Sequence, residues 1–259
     1  DSWKMAENKP LLGEDQPSSR TVERPSNWKE AQKLGYRPQY SSEEAKKEIQ
    51  KGFLLKVYGI LSAQLAFTVA FCALFMAVEP LRTLVLGNVW IVIVLFIVTI
   101  VLIIALFFLK NSYPWNIYLL AGFTVAEAWL VGTVCAAYAQ AGVGELVAIA
   151  WAITLFVFVG LTIFVAYSDI DFSFLGLFLP VCLLVFVFWG LTAMIFGLKL
   201  GYIYAAIGAL LFSAYIIYDT FNIMNNLGCD EHIIASIELY LDVLNLFLMI
   251  LTLLSGGEP

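Results

Sequence analysis

Four acidic residues lie inside long apolar runs of this chain: Glu127, Asp219, Glu238 and Asp242. A charge at the middle of a bilayer costs at least about 2.5–3.5 kcal/mol, so an acid kept there has a partner or a task. Tyr215, Asp219, Asn222 and Asn226 follow one another at steps of four, three and four, which puts them on one face of a helix. Glu238, Asp242 and Asn245 repeat that pattern at steps of four and three. The two polar faces belong to consecutive apolar segments joined by a short loop, so they can meet.

Two carboxylates brought together away from water cannot both ionise cheaply, and they hold one proton between them. Such a pair can sense protons. Once deprotonated it offers hard oxygen ligands of the kind calcium takes. Asp219 and Asp242 are therefore the candidate pH-sensor and ion-path residues. Glu238, Asn245, Asn222, Tyr215 and Glu127 are the supporting polar groups. Asp219, Asp242 and Glu238 together form a candidate calcium site. Lys110, expected near the same end of its helix, is a candidate latch that could neutralise the pair and close the site. The opposing reading makes the acids protonated glue between helices. The asparagines and tyrosine on the same faces weigh toward function.

The elements that must position these residues are membrane spans. The chain has 259 residues, 61% hydrophobic and 13% charged, where a soluble domain carries about 25% charged residues. Apolar segments of the length a spanning helix needs are expected at about 54–76, 88–109, 116–138, 146–166, 173–196, 202–224 and 233–254. The breaks between them are short, so successive helices are antiparallel neighbours and no soluble domain is inserted. Residues 1–52 are polar and read as a mobile cytosolic tail, and 255–259 as a short C-terminal tail. The first apolar run is expected to act as its own insertion signal. Of the 14 Lys and Arg residues, 11 lie at or before Lys56. Lys46, Lys47, Lys51 and Lys56 crowd the start of the first span and place the N-terminus in the cytosol. Arg82 and Lys199 then fall on the opposite side. No basic patch follows, so a nucleic-acid partner is not expected.

Other features carry less. The second span is nearly all Ile, Val, Leu and Phe and should face lipid. Pro180 should free backbone groups in the fifth. Gly201, Ala205, Ala209 and Ser213 form a small-residue ladder along the sixth, read as a close-packing face. The cysteines Cys72, Cys135, Cys182 and Cys229 form no close pair along the chain, so no disulfide framework or zinc site is expected. His232 reads as a solvated interfacial residue, and Asp169 with Asp171 as a polar loop. The HExxH, GxSxG and Gly-rich phosphate-loop patterns are absent. Tyr218-Asp219 matches half of the membrane aspartyl protease pattern, but Asp242 lacks the flanking glycines of its other half. An enzyme is not expected, and no cofactor is called for beyond calcium as a bound or transported ion.

The sequence resembles the transmembrane Bax inhibitor motif family, in its Lifeguard branch. The resemblance covers about 49–254. It rests on Phe53-Leu54-Leu55-Lys56-Val57-Tyr58 with Gln64, Asn116-Ile117-Tyr118-Leu119-Leu120, Asp171-Phe172-Ser173, Ile216-Ile217-Tyr218-Asp219-Thr220, and 235–248. It implies an all-α membrane protein, a seven-transmembrane-helix bundle with the C-terminal helix central. It also implies calcium leak from intracellular stores and suppression of cell death. In a bacterial relative two aspartates form a pH-sensitive pair, and they carry over as Asp219 and Asp242. The arginine latch of that relative becomes Lys110, which keeps the charge but loses the planar fork. Glu127 matches an acid common in eukaryotic members. Glu238 departs from the pattern, as an added acid one turn from Asp242. The expected function is a pH-sensitive, calcium-permeable leak channel. The alternatives are a non-conducting regulator that binds calcium channels or death-pathway proteins, and a cation–proton antiporter. The Golgi or endoplasmic reticulum is the expected location, ahead of the vacuole, lysosome or plasma membrane. Lipid and calcium ions are the expected partners.

Overall fold

The computed structural model describes residues 42–198, 201–225 and 231–256. Expectations placed on the segment before Ser42 and on Lys199, Asn226, Cys229, Asp230 and 257–259 lie outside the described residues, as do the side chains of Lys46 and Lys47. The regular structure of the described residues is helical: α1 (Ser42–Ala77), α2 (Glu79–Gly87), α3 (Val89–Leu109), α4 (Trp115–Gln140), α5 (Glu145–Tyr167), α6 (Leu175–Phe196), α7 (Tyr202–Asn225) and α8 (His232–Leu254). Seven of these, all but α2, are long and apolar enough to cross a membrane. The protein is a multi-pass, all-α integral membrane protein.

Two boundaries differ from expectation. Helix α1 starts at Ser42, well ahead of residue 54, so part of the expected polar tail is helical. Its Ser-Glu-Glu-Ala-Lys-Lys start is made largely of good helix formers. The break at Glu79-Pro80 is itself a short helix, α2. Proline fits the first turn, where its missing N–H is no loss, and Glu79 lies at the positive end of the helix dipole. Pro180 does not break α6, which runs on through it to end at Gly197 with φ 64°. That is the left-handed cap glycine adopts readily.

Helix α8 sits at the centre, packed against α7, α1 and α5. Tyr240, Phe247, Leu239, Leu244, Leu246 and Leu251 are among its fully buried side chains, and Phe247 stacks on Trp151 of α5 with ring centroids 4.2 Å apart. Helices α3 and α6 are the least buried of the spans. They turn Phe96, Ile97, Phe107 and Phe108, and Leu177, Phe178 and Phe188, outward, as lipid-facing surfaces do. The small-residue ladder of α7 only partly describes its packing. Ala205 is fully buried but Gly201 is exposed. A close approach lies at Gly208, off the ladder, where a Cβ would lie 2.5 Å from Met249 Sδ and 2.7 Å from Phe186 Cζ. A side chain there would have to displace Met249 of α8 and Phe186 of α6.

Candidate functional site

The antiparallel packing of α7 on α8 brings the two polar faces together. Asp219 and Asp242 are buried, at 8% and 6% exposure. Their carboxyl groups lie within hydrogen-bonding reach of each other. Ionised carboxylates only accept, so a hydrogen bond between them would need a proton on one of the two. Asp242 Oδ2 is enclosed and has no hydrogen-bond partner. Tyr215, one turn before Asp219, is half-buried and within electrostatic range of both aspartates.

The remaining expected residues divide. Asn222 is half-buried one turn beyond Asp219. Asn245 donates to the Leu241 carbonyl of its own helix at 2.8 Å. Glu238 does not join the aspartates as a third ligand. It is exposed and lies within electrostatic range of Asp219, Asp242, Glu231 and Lys110. Among the described residues no group of three His, Cys, Asp or Glu side chains is placed to hold a metal ion, so the three-acid calcium cage expected from Asp219, Asp242 and Glu238 is not assembled. Glu238 is exposed one turn closer to the start of α8, where Asp219 is its foremost charged neighbour, followed by Glu231 and Lys110. Glu127 is separate as well. It is half-buried on α4 against Thr99 of α3, whose hydroxyl completes no hydrogen bond of good geometry.

Lys110 stands at the end of α3, but it binds neither aspartate. Its Nζ donates to Glu231 Oε1 at 2.8 Å, both side chains being about one-third exposed (28% and 35%). Asn116 Nδ2 donates to the Lys110 carbonyl at 2.9 Å and steadies the turn behind it. His232, next to Glu231, is less solvated than expected: it is half-buried, with Nδ1 enclosed and unpartnered. At the same end of the bundle Gln50 donates to the Met224 carbonyl, joining α1 to α7.

Several polar contacts have no counterpart in the sequence reading. Thr68 of α1 and Tyr240 of α8 share a buried hydrogen bond of 2.7 Å. Gln64 Nε2 donates to Thr124 Oγ1 of α4 at 2.9 Å, and Tyr240 lies within range of Glu127. The hydroxyl of Tyr58 faces Thr162 and Thr220. The signal was present but faint: Tyr240 belongs to the Tyr240-Leu241-Asp242 motif and Thr220 follows Asp219. A lone hydroxyl in an apolar run has no charge to mark it.

The family profile described as "Inhibitor of apoptosis-promoting Bax1" matches residues 50–258. A "BI1-like protein" of Arabidopsis thaliana is 39% identical over 216 residues, covering 82% of this chain and 83% of that protein. "Protein lifeguard 4" of Mus musculus is 37% identical over 209 residues, 80% of this chain and 86% of its own. The "Golgi anti-apoptotic protein" of Vaccinia virus (strain Lister) is 36% identical over 207 residues, with coverage of 80% and 86%.

Proposed function

The chain belongs to the Bax inhibitor/Lifeguard family of anti-apoptotic membrane proteins, and from that premise we propose that it is a pH-sensitive, calcium-permeable leak channel of an intracellular membrane. The observation that carries this reading is the contact of Asp219 with Asp242 across α7 and α8. With one proton shared, the pair is a hydrogen bond that holds the two helices together. Without it, two negative charges face each other in a buried site, where little solvent screens them. Their repulsion drives α7 from α8, and the freed oxygens suit a hard cation. Flux therefore rises as pH rises.

In this reading the N-terminus is cytosolic and the pair lies in the cytosolic half of the bilayer. The Lys110–Glu231 ion pair then closes the outer end of the route, with Glu238 between it and Asp219. The Golgi name of the viral relative favours a Golgi membrane. Suppression of cell death follows from a lowered calcium store. The test is calcium flux from liposomes containing only this protein, at two pH values, with Asp219→Asn and Asp242→Asn beside the wild type. Flux that depends on pH in the wild type and not in the variants supports the reading. No flux from the wild type favours a non-conducting regulator, and flux coupled to an imposed proton gradient favours an antiporter.

A further inference from the structure

Cys72 and Cys135 are far apart along the chain, yet the fold makes their side chains neighbours between α1 and α4. Cys72 is on α1 and Cys135 on α4, at 2% and 0% exposure. Both are free cysteines. The two helices make an extensive interface, and an independent feature shows how near their backbones come. A Cβ at Gly132, one turn before Cys135, would lie 2.9 Å from Phe75 Cδ2 and 3.7 Å from the Phe71 carbonyl oxygen. Phe71 adjoins Cys72 in the chain, so the glycine lets α4 reach the backbone of α1 beside the cysteine. Close backbone approach is what a disulfide needs, with Cα atoms roughly 4.4–6.8 Å apart. The pair lies a turn or so from the ends of both helices, Ala77 and Gln140. The aspartates lie toward the other end of the bundle.

We infer that Cys72 and Cys135 form an oxidisable dithiol that a small hydroperoxide converts into a disulfide between α1 and α4. One sulfur, as its thiolate, attacks an oxygen of hydrogen peroxide and breaks the O–O bond; it becomes a sulfenic acid, and the departing hydroxide takes up the thiol proton and leaves as water. The second thiol attacks that sulfur, closes the S–S bond and releases a second water. Two thiol protons and two electrons pass to the peroxide, which is reduced to two waters. Burial excludes a bulky disulfide donor and slows the reaction, but the peroxide is small and neutral. Once one sulfur is oxidised, the other is its nearest nucleophile, so closure competes well with further oxidation. The product ties α1 to α4 and restricts the unfolded chain by a long loop. Nothing in this step depends on ion conduction.

The experiment treats purified, reduced protein with hydrogen peroxide, then unfolds it in an alkylating agent and maps the cysteines by mass spectrometry. The expected result is joint loss of Cys72 and Cys135 alkylation and the appearance of one peptide linking them, with Cys182 outside the link. Thermal unfolding midpoints provide a second readout. Peroxide should raise the wild-type midpoint and a reductant should restore it, while Cys72→Ser and Cys135→Ser should show no rise. The inference is overturned if both cysteines are alkylated separately, or oxidised singly to sulfinate, after treatment that consumes Cys182. Equal midpoint shifts in the wild type and both serine variants would overturn it as well.

Discussion

Lys110 at the end of α3 donates to Glu231, the residue before α8, over 2.8 Å. This joins the outermost part of the proposed route to the helix that carries Asp242. A partly exposed pair of this kind contributes up to about 1 kcal/mol, so its loss should alter gating more than folding. Lys110→Met and Glu231→Gln are expected to raise flux at acidic pH by a few-fold while keeping the pH response. The double variant should equal either single one, since both remove the same contact. Liposome flux across a pH series checks this, and additive effects would mean that the two residues act separately.

The buried Thr68–Tyr240 hydrogen bond of 2.7 Å ties the central helix to α1. Thr68→Val leaves the Tyr240 hydroxyl enclosed without that partner, at a cost of about 1–3 kcal/mol. Tyr240→Phe should cost less, because the remaining threonine still donates to the Gln64 carbonyl at 2.9 Å. Unfolding in detergent should show the double variant to be more stable than the sum of the single losses requires.

Gly208 has no room for a side chain, with Met249 Sδ 2.5 Å from the position a Cβ would take. Gly208→Val should destabilise the bundle by about 1–3 kcal/mol through overpacking. Gly160, in α5, has nothing within 4 Å of that position. Gly160→Ala should be neutral or slightly stabilising, as alanine is the better helix former. Thermal unfolding of the two variants side by side tests the α7–α8 contact that brings the aspartates together.

Asp171 lies in the loop before α6, where its Oδ1 accepts from the Ser173 backbone N–H at 2.9 Å and from the Ser173 hydroxyl. These bonds favour the charged form and hold its carboxyl below the ordinary value of 3.8. A group lowered on folding stabilises the fold above its unfolded value and loses that contribution as pH falls through the folded one. The window therefore lies at and below ordinary carboxylate pH, well away from neutrality. Asp171→Asn is expected to leave the neutral-range pH response of flux unchanged, and a shifted response in flux assays would count this loop among the sensors.

Much of the architecture was legible because lipid imposes a strong rule: spans must be long and apolar. All seven could be marked, and Asp219 and Asp242 stood out as charges where charges are costly. Helical spacing put each on a polar face, and the short loop made those faces neighbours. What the sequence does not mark depends on contacts between helices distant in the chain. Glu231 stands just before α8, and nothing local in the sequence marks its reach to Lys110. Glu238 shares a face with Asp242 by spacing, yet one helical turn leaves it exposed where Asp242 is buried. Cys72 and Cys135 seemed unrelated because only the packing of α1 on α4 joins them. Short α2 was hidden by its proline, which reads as a break until its place in the first turn is seen.

The contact of Asp219 with Asp242 is tested most directly by the pH dependence of calcium flux from liposomes holding the purified protein alone, for the wild type, Asp219→Asn and Asp242→Asn. The shared-proton account predicts wild-type flux that rises with pH and flux that no longer varies with pH in either variant. Wild-type pH dependence that persists unchanged in both variants would contradict it.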